Sequence, residues 1–561
     1  MSVVVKQVEN QIKELIISAA EKAMESGALP SAELTPFSVD KPSDTSHGDY
    51  ALNCAMAWSR VFRNAPRKIA EILMENIDFT GTYIERYEIA GPGFINLFLS
   101  DSYYADIVKD INEKGKDYGR SDVGEGKSVL VEFVSANPTG PMHIGNARGG
   151  ALGDCLAAVM DFAGYRVERE FYINDAGNQI EKFGLSLDLR YLQLYKEGIE
   201  MPEDSYHGAD IIAHAKAFSE QYGDSFVECD EKERRAALVK FALPKNIEAL
   251  HDDLQKYRIE YDTWFKESSL HESGETMRII ELLKQSGHTY EKEGALWFAG
   301  ADFGSEDFVL VRSNGFPTYV APDIAYHYNK LVTRGFDKAI NIWGADHHGY
   351  VPRLKAALSA LGVDANKLDV VLMQMVRLVR GGEVIKASKR SGKAITLVTL
   401  LEEVPIDAAR FFFNLREPNS HFDFDLDLAV EQSNQNPVYY VQYAHARICS
   451  ILRNLAEENI VPRDCTADEL SLLKAPEEKE LISLLAALTK TVEISAAAYD
   501  PAKLTHYAFD AAAAFHKFYN ACRCKCGDAS LMQARLNLCL AAKTVISNVL
   551  TILNIGAPES M

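Results

Sequence analysis

The sequence predicts a multidomain α/β protein whose core is a doubly wound parallel sheet, with an α+β region before it and an all-α bundle after it. Three observations predict this fold class. Apolar runs typical of buried parallel strands alternate with helical patterns in residues 121–405. Residues 1–115 mix short strands with helices. Residues 406–561 carry helical patterns rich in Ala and Leu.

Composition places the chain among ordinary globular proteins. It has 561 residues, of which 47% are hydrophobic and 25% charged, enough for several domains. No run of about 18 apolar residues stands out, so we expect no membrane segment. The charged N-terminus lacks the apolar core of a signal peptide. Nine cysteines, an odd number, favour reduced thiols and a cytoplasmic location, and we expect a monomer.

The net charge of −21 argues weakly against a nucleic-acid partner, because nucleic-acid-binding proteins usually carry a basic footprint. Charge can be segregated, however. The stretch 377–393 holds six basic residues against one Glu. It predicts either a site for a polyanion or a solvated basic hairpin.

The N-terminal region is justified element by element. An amphipathic helix is predicted over Val8–Ser26, a second helix runs through Trp58, and Pro66–Met74 begins with a Pro that suits the first turn. Residues Ile84–Leu99 alternate like two strands separated by the turn Gly91–Gly93. Nothing in this region has a catalytic pattern.

The segment Ser128–Ile173 organises the core. It reads as a strand over Val129–Val134, a loop that ends in His143-Ile144-Gly145-Asn146, a helix of small residues and a second strand over Arg166–Ile173. A helix that begins at this loop offers free backbone N–H groups and a positive dipole end, which suit a phosphate. Gly145 allows a nucleotide to approach the backbone closely.

A second strand–loop–helix unit follows later in the core. Lys338–Trp343 is an apolar strand, the loop Gly344–Gly349 follows it, and Tyr350–Leu361 is helical, before a strand predicted over Asp369–Leu378. Ligands of doubly wound sheets bind beyond the carboxyl ends of the strands. Both this loop and the His143 loop lie at such ends.

Two further regions complete the organisation. Residues 185–300 exceed a simple crossover, and we interpret them as a mostly helical, charged insertion. The C-terminal region is predicted to contain four main helices, Val441–Asn454, Glu477–Ala498, Tyr507–Cys522 and Leu531–Leu553.

Lys386 and Lys389 lie three residues apart in a Gly- and Ser-containing loop. Such lysines can close over phosphates during a reaction. The alternative is an ordinary surface turn. Taken with the His143 loop, the lysine loop favours nucleotide chemistry, since imidazole, amide and ammonium donors can neutralise charge on a transferring phosphate.

The two loops together resemble the signatures of the class I aminoacyl-tRNA synthetases, usually written HIGH and KMSKS. Longer matches resemble the arginyl branch of that family: the segment 132–143, the pairs 315–319 and 323–327, the loop 343–349, the segment 436–447 and the closing Met561. The resemblance covers nearly the whole chain. It implies a Rossmann-like catalytic core, an N-terminal tRNA-contacting domain (1–115) and a C-terminal anticodon-binding domain (406–561).

The resemblance also implies the substrates and the activity: ATP, with Mg²⁺ as its counter-ion, L-arginine and tRNA(Arg). Arginyl-adenylate would form and arginine would pass to the 2′-hydroxyl of the terminal adenosine of the tRNA. Catalysis is expected from three residues, His143, Lys386 and Lys389. The ATP site is expected to include His143, Gly145, Asn146, Asp346, Lys386 and Lys389. The arginine site is expected to include Glu132, Ser135, Asn137, Tyr319, Asp323 and His347.

Part of the arginine site also agrees with the chemistry of the residues themselves, although without the resemblance Asp323, close to Lys330, would be interpreted as a helix-surface residue. A guanidinium is a planar fork that needs carboxylate or carbonyl acceptors. Tyr319 and Asp323 are four residues apart, so a helix would place them on one face. Asp346 and His347 are candidates for the ribose of ATP or for arginine, and the sequence leaves open which of them contacts which substrate.

The chain departs from the family pattern at two positions. Asn146 replaces the usual His of the first signature; it can donate a hydrogen bond but carries no charge. Ala387 replaces a Met that is expected to make only a packing contact, and both lysines are present.

Several alternatives stay open at this point. A non-catalytic RNA-binding relative, a class I enzyme for another amino acid and a small-molecule adenylyltransferase are the rival functions. A metal site at Asp346-His347-His348 and a zinc site at Cys522-Arg523-Cys524-Lys525-Cys526 both lack a second set of ligands at regular spacing, so we predict no metal site. Aromatic side chains for base stacking are the candidates Tyr439, Tyr440, Tyr443, Phe518 and Tyr519.

Overall fold

The computed structural model describes residues 3–42, 44–385 and 395–561. Within them the strands form four sheets, and every element from Pro437 to Ile552 is a helix. The predicted fold class is confirmed: a parallel sheet flanked by helices, an α+β region before it and a helical region after it.

The N-terminal region contains α1 (Val3–Glu25), β1 (Val39–Asp40), β2 (Tyr50–Leu52), α2 (Cys54–Ala57), α3 (Ser59–Phe62), α4 (Pro66–Glu75), β3 (Ile84–Ala90), β4 (Phe94–Leu99) and α5 (Asp101–Lys114). Its four strands form an antiparallel sheet in the order β1-β2-β4-β3. The predicted strand pair joined by a turn is present. Gly93 is required in that turn, because its φ is +138° and a Cβ there would lie 2.7 Å from the Pro66 carbonyl carbon.

The central region begins with β5 (Ser128–Glu132), α6 (Ile144–Phe162), β6 (Arg166–Ile173), α7 (Gly177–Leu192), α8 (Ala209–Tyr222), α9 (Glu231–Lys256), β7 (Thr263–Lys266), α10 (Glu267–Glu272), α11 (Glu275–Gln285), β8 (Thr289–Lys292), β9 (Ala295–Phe298) and β10 (Phe308–Val311). It continues with α12 (Val320–Tyr328), β11 (Lys338–Gly344), α13 (Val351–Ala360), β12 (Leu368–Met373), β13 (Val376–Arg380), β14 (Glu383–Ile385) and α14 (Leu397–Glu403). Strands β8, β9 and β10 form a separate antiparallel sheet.

The main sheet has five parallel strands in the order β12-β11-β5-β6-β7. From β5 the chain adds β6 and β7 on one side and later β11 and β12 on the other. The topological switch point therefore lies between β5 and β11, where Glu132 is opposite Asn341. Four of the five residues of β5 are buried, because helices cover both faces of a parallel sheet.

Two predictions for the central region need correction. Residues 185–300 are not only a helical insertion, because Thr263–Lys266 is the edge strand β7 of the main sheet, paired with β6. The strand predicted over Asp369–Leu378 is two strands. β12 belongs to the main sheet, whereas β13 lies in a small sheet of order β14-β13-β15.

The C-terminal region contains α15 (Ile406–Phe413), β15 (Phe422–Asp425), α16 (Leu426–Val430), α17 (Pro437–Glu457), α18 (Ala467–Leu470), α19 (Pro476–Leu485), α20 (Leu488–Ala498), α21 (Ala502–Ala521) and α22 (Ala529–Ile552). Its prediction as all-α is corrected by β15, which pairs in parallel with β13 of the central region. The helix predicted over Glu477–Ala498 is divided into α19 and α20.

One helical stretch of the described chain, Pro476–Ala498, is long and apolar enough to cross a membrane by length and composition. Half of an 18-residue window within this stretch is buried in the protein. A core helix of a soluble protein can have the same length and composition.

Buried polar contacts join the C-terminal region to the central region. The Arg410 guanidinium pairs with the Asp154 carboxylate of α6, and its Nη1 donates to the Tyr257 carbonyl at 3.0 Å. The residues after α22 return to this junction. Arg410 Nε donates to the Leu553 carbonyl at 3.2 Å, and Gly556 N donates to Asp407 Oδ1 at 3.2 Å.

Candidate active site

The loop that follows β5 leaves the sheet through a left-handed turn. Val134 and Ser135 have φ values of +67° and +41°, and a β-branched residue rarely adopts such a φ. Ser135 Oγ holds the turn: it donates to Glu132 Oε1 at 2.9 Å and accepts from the Tyr172 backbone N–H at 3.1 Å. The strained turn therefore directs the chain across the carboxyl edge of the sheet, at the switch point.

His143 is the N-cap residue of α6, and its side chain is exposed. The carbonyl oxygen of the Asn146 side chain accepts a hydrogen bond from the His143 backbone N–H at 3.0 Å. Asn146 thus caps the helix from its third position, as Glu or Gln does in a capping box. Its side-chain NH₂ group, a donor pair, is not used by this bond.

The chain beyond the lysine loop returns to His143. Thr396 forms an antiparallel β-bridge with His143, and Leu397 N donates to the Met142 carbonyl at 3.0 Å. The hairpin of β13 and β14 ends at Ile385. Lys386 and Lys389 lie outside the described residues.

Met375, which no sequence motif indicated, lies beside the His143 loop. The side chain of Met375 is 68% exposed, and its Sδ and Cε atoms are 3.8 Å from the position that a Gly145 Cβ would occupy. Gly145 therefore leaves an open approach beside an exposed thioether, a surface suited to a flat apolar ring.

A cavity of about 760 Å³ opens at the same edge of the sheet. Four predicted site residues line it: Tyr319, Asp323, Asp346 and His347. Asp323 belongs to α12 and Tyr319 is its N-cap, so the spacing of four places both on one face as expected. Asp346 and His347 follow β11 in a short 3₁₀ turn. Glu132, Ser135 and Asn137 are not among the residues that line the cavity.

The Asp323 carboxyl has an unusual electrostatic environment. Burial raises its pKa to about 7, although the Tyr350 hydroxyl donates to its Oδ2 at 2.7 Å and opposes the shift. The negative charges of Glu132 and Glu267 raise the pKa further, and Lys330 lowers it. A guanidinium in this cavity would favour the ionised carboxylate.

A buried hydrogen-bond network connects Glu132 to α12. Lys330 Nζ lies 2.5 Å from Glu132 Oε2 and donates to Asn341 Oδ1 at 3.1 Å. Asn341 Nδ2 donates to His327 Nε2 at 2.6 Å, and His327 Nδ1 donates to the Asp323 carbonyl at 2.8 Å. Lys330 lies in a π-helical turn, Asn329–Thr333, and is completely buried.

The charges in this network are defined by their partners. Burial alone would raise the pKa of Glu132, but the adjacent Lys330 ammonium, together with the smaller effects of His327 and of the hydrogen bonds from Lys330 and Ser135, outweighs burial, and the pKa of Glu132 lies below its usual value. Burial, assisted by the charge of Lys330, lowers the pKa of His327 to about 3. Glu132 is thus anionic and His327 neutral at physiological pH, consistent with the direction of their hydrogen bonds.

Asp346 and His347 remain accessible to ligands. Their side chains are 83% and 54% exposed, and His347 Nε2 is 3.8 Å from Asp346 Oδ2. In the part of the chain that the structure describes, no group of three His, Cys, Asp or Glu side chains is arranged to hold a metal ion. All nine cysteines are free thiols, including the predicted candidates Cys522, Cys524 and Cys526.

Family models and curated relatives match the chain over nearly its whole length. Models described as "Arginyl tRNA synthetase N terminal domain", "tRNA synthetases class I (R), catalytic domain" and "DALR anticodon binding domain" match residues 10–99, 107–447 and 441–561. The arginine–tRNA ligases of Caldanaerobacter subterraneus subsp. tengcongensis and Acetivibrio thermocellus are 54% and 52% identical to the chain, with complete coverage of both chains in each pair.

The fold is also similar to that of a solved arginyl-tRNA synthetase. The crystal structure of Thermus thermophilus arginyl-tRNA synthetase superposes with a TM-score of 0.75, covering 99% of this chain and 100% of that one at 23% identity. That identity establishes the fold alone, and the family models and curated relatives supply the rest. The chain belongs to the arginyl-tRNA synthetase family of the class I aminoacyl-tRNA synthetases.

Proposed function

We propose that the chain is an arginine–tRNA ligase. In the first step a carboxylate oxygen of arginine bonds to the α-phosphorus of ATP, the bond to the bridging oxygen breaks and pyrophosphate leaves. In the second step the 2′-hydroxyl of the terminal adenosine attacks the arginyl carbonyl carbon, loses its proton and releases AMP. The observation that carries the proposal is a cavity lined by a carboxylate, Asp323, and by the turn that follows β11, in a class I catalytic fold.

Arginine is assigned to the cavity by charge and shape. Asp323 offers two oxygens to the guanidinium fork, and Tyr319 offers a hydroxyl from the same helical face. Glu132 is anionic, so it suits the α-ammonium group, together with Ser135 and Asn137 of the adjoining loop. His347 completes the proposed arginine site.

ATP is assigned to the start of α6. His143, Gly145 and Asn146 surround the free N–H groups of the helix, and Asp346 suits the ribose hydroxyls. Lys386 and Lys389 are proposed to bind the phosphates of ATP. We propose Mg²⁺ as the counter-ion of ATP. Mg²⁺ keeps several waters and takes few protein ligands, so it can arrive on the nucleotide.

The remaining assignments concern the partners. Residues 1–115 are proposed to contact the tRNA, residues 121–405 to form the catalytic core with its helical insertion, and residues 406–561 to bind the anticodon. The DALR match to residues 441–561 supports the last of these. The nine free thiols support the proposal of a cytoplasmic protein, and we propose a monomer that does not bind membranes.

Pyrophosphate exchange with tRNA(Arg) present tests the function. A panel of the twenty amino acids is expected to give exchange with arginine only. The variant His143→Ala is expected to lower kcat about 100-fold, since it removes one donor to a developing charge. The control His506→Ala changes an exposed histidine on α21 and should retain the wild-type kcat.

Three results would contradict the proposal in different ways. Exchange with another amino acid would assign a different class I specificity. No exchange with any amino acid would favour a non-catalytic RNA-binding protein. Wild-type exchange by His143→Ala would remove His143 from the site while leaving the overall function in place.

A further inference from the structure

Arg148 is an arginine whose partners are unusual. It lies on the second turn of α6, five residues after His143, and it is completely buried. Among the described residues no carboxylate is paired with its guanidinium, and its Nε atom has no acceptor. The loss of hydration lowers its pKa to about 10, so that the guanidinium is still charged at neutral pH.

The guanidinium donates instead to three backbone carbonyls. Nη1 donates to Gln374 at 2.7 Å and to Ser420 at 3.2 Å, and Nη2 donates to Glu417 at 3.1 Å. A buried charge with carbonyl acceptors alone is costly, and each acceptor would also be costly to leave unpaired. The arrangement therefore fixes the two segments that supply these carbonyls with respect to α6.

Those segments come directly before two neighbouring strands. Gln374 is two residues before β13, and Ser420 is two residues before β15, which pairs with β13 in parallel. The Gln374 side chain adds a 3.2 Å hydrogen bond to Asn419, which joins the segments directly. One guanidinium thus lies at the base of the small sheet whose hairpin leads to Lys386.

The same contacts bring the sheet against the start of the signature helix. Met373 and Met375, on either side of Gln374, approach the Cβ positions of Gly149 and Gly145 to 3.6 Å and 3.8 Å. The two glycines leave room for the thioether groups. The three hydrogen bonds from Arg148 fix how closely the segment that carries these methionines approaches α6.

We infer that Arg148 is a positioning residue for adenylate formation, which fixes the sheet that leads to the lysine loop against the helix that begins at His143. The inference rests on the proposed function, in which these two elements bind the same ATP molecule. Arg148 touches neither substrate in this scheme. Its contribution is the position of β13 and its hairpin relative to the start of α6, and an error of about 1 Å in the placement of reacting groups costs about 100-fold in rate.

Arg148→Lys tests the inference because it keeps the charge and loses the planar fork. We expect kcat for pyrophosphate exchange, measured with tRNA(Arg) at saturating substrates, to fall about 10- to 100-fold. The KM for arginine should change less than about twofold, because the arginine cavity lies outside this contact. Single-turnover transfer from enzyme-bound arginyl-adenylate to tRNA should also stay within about threefold of wild type, since the β- and γ-phosphates have then left as pyrophosphate.

The matched control is Arg234→Lys. Arg234 is also buried and donates to the Cys229 carbonyl at 3.0 Å, but it pairs with Asp188 within the helical insertion. It should lower thermal stability without changing kcat per folded molecule. If Arg148→Lys does not fold, the neutral Arg148→Gln, which retains two N–H donors, takes its place.

The outcomes separate the inference from the function. If the wild type catalyses exchange and the folded Arg148 variant has the same kcat, the inference is wrong. Equal losses in exchange and in transfer would also overturn it, because a general structural defect lowers both. If the wild type catalyses no exchange, the proposed function itself fails.

Discussion

Lowering the pH from 8 to 6 is expected to weaken arginine binding about tenfold. Burial raises the pKa of Asp323 to about 7, so the carboxyl is neutral below that pH and ionised above it. The guanidinium of arginine is charged throughout this range and needs the ionised form. With a pKa of 7, about 90% of the empty sites are ionised at pH 8 and about 10% at pH 6, and the apparent Kd rises by the inverse of that fraction.

Isothermal titration of the protein with arginine at pH 6, 7 and 8 measures this change. Binding at pH 7 should also release about half a proton, which is read from the binding enthalpy in two buffers of different ionisation enthalpy. Asp323→Asn should bind weakly and with the same Kd at every pH. Tyr350→Phe removes the 2.7 Å hydrogen bond that favours the ionised carboxylate and should move the midpoint above 7.

His347→Gln removes the imidazole that lines the same cavity and so tests whether the Asp323 carboxyl alone causes the pH dependence. This variant should keep the tenfold change in the Kd for arginine. The reasoning is refuted if the wild-type Kd is the same at pH 6 and pH 8. It is also refuted if Asp323→Asn retains the wild-type pH dependence.

Two further predictions concern stability, measured by thermal and urea unfolding. Arg410→Met should cost up to about 3 kcal/mol because it removes the buried ion pair of Asp154 and leaves that carboxylate with the 3.3 Å pair to the partly exposed Arg169, and Arg410→Met with Asp154→Leu should recover part of that loss; an additive loss would contradict this explanation. Gly153→Ala should cost about 1–3 kcal/mol, since its Cβ would lie 2.1 Å from the Phe133 ring, whereas Gly527→Ala has open space and should be close to neutral. Equal effects of the two alanines would show that the helix tolerates the added methyl group.

The strands with continuous apolar runs or clear alternation were predictable from the sequence. The strand Arg166–Ile173 has the predicted bounds, and Val129–Val134 contains most of β5. By contrast β7 has four residues between α9 and α10, and its partner β6 lies about ninety residues earlier in the chain. So short a strand carries too little pattern to be distinguished from the helices around it.

The site was predictable where chemistry depends on local spacing. Tyr319 and Asp323 share a cavity because four residues make one helical turn. Lys330 was not predictable, since a lysine is ordinarily exposed and only its contact with Glu132, 198 residues away in the chain, makes its burial possible. Met375 and Arg148 were missed for the same reason, because their roles depend on contacts between distant segments.

The cap that Asn146 provides changes the interpretation of that position. The sequence indicated a residue that can donate a hydrogen bond but carries no charge beside ATP. In the structure the side-chain oxygen holds the His143 backbone N–H, and the NH₂ group is not used in that bond. A neutral residue can therefore fix the loop and still donate to a phosphate.

The return of residues 553–556 to the central region sets an order of events on the ribosome. The Asp407 carboxylate can accept the hydrogen bond from Gly556 N only after a further 149 residues have been synthesised. At roughly 5–20 residues per second that interval lasts about 7–30 s. Until then the nascent chain presents the Arg410 and Asp407 surfaces without their final covering. Chaperone capture should therefore fall when arrested nascent chains carry a C-terminal linker long enough for residue 556 to leave the exit tunnel.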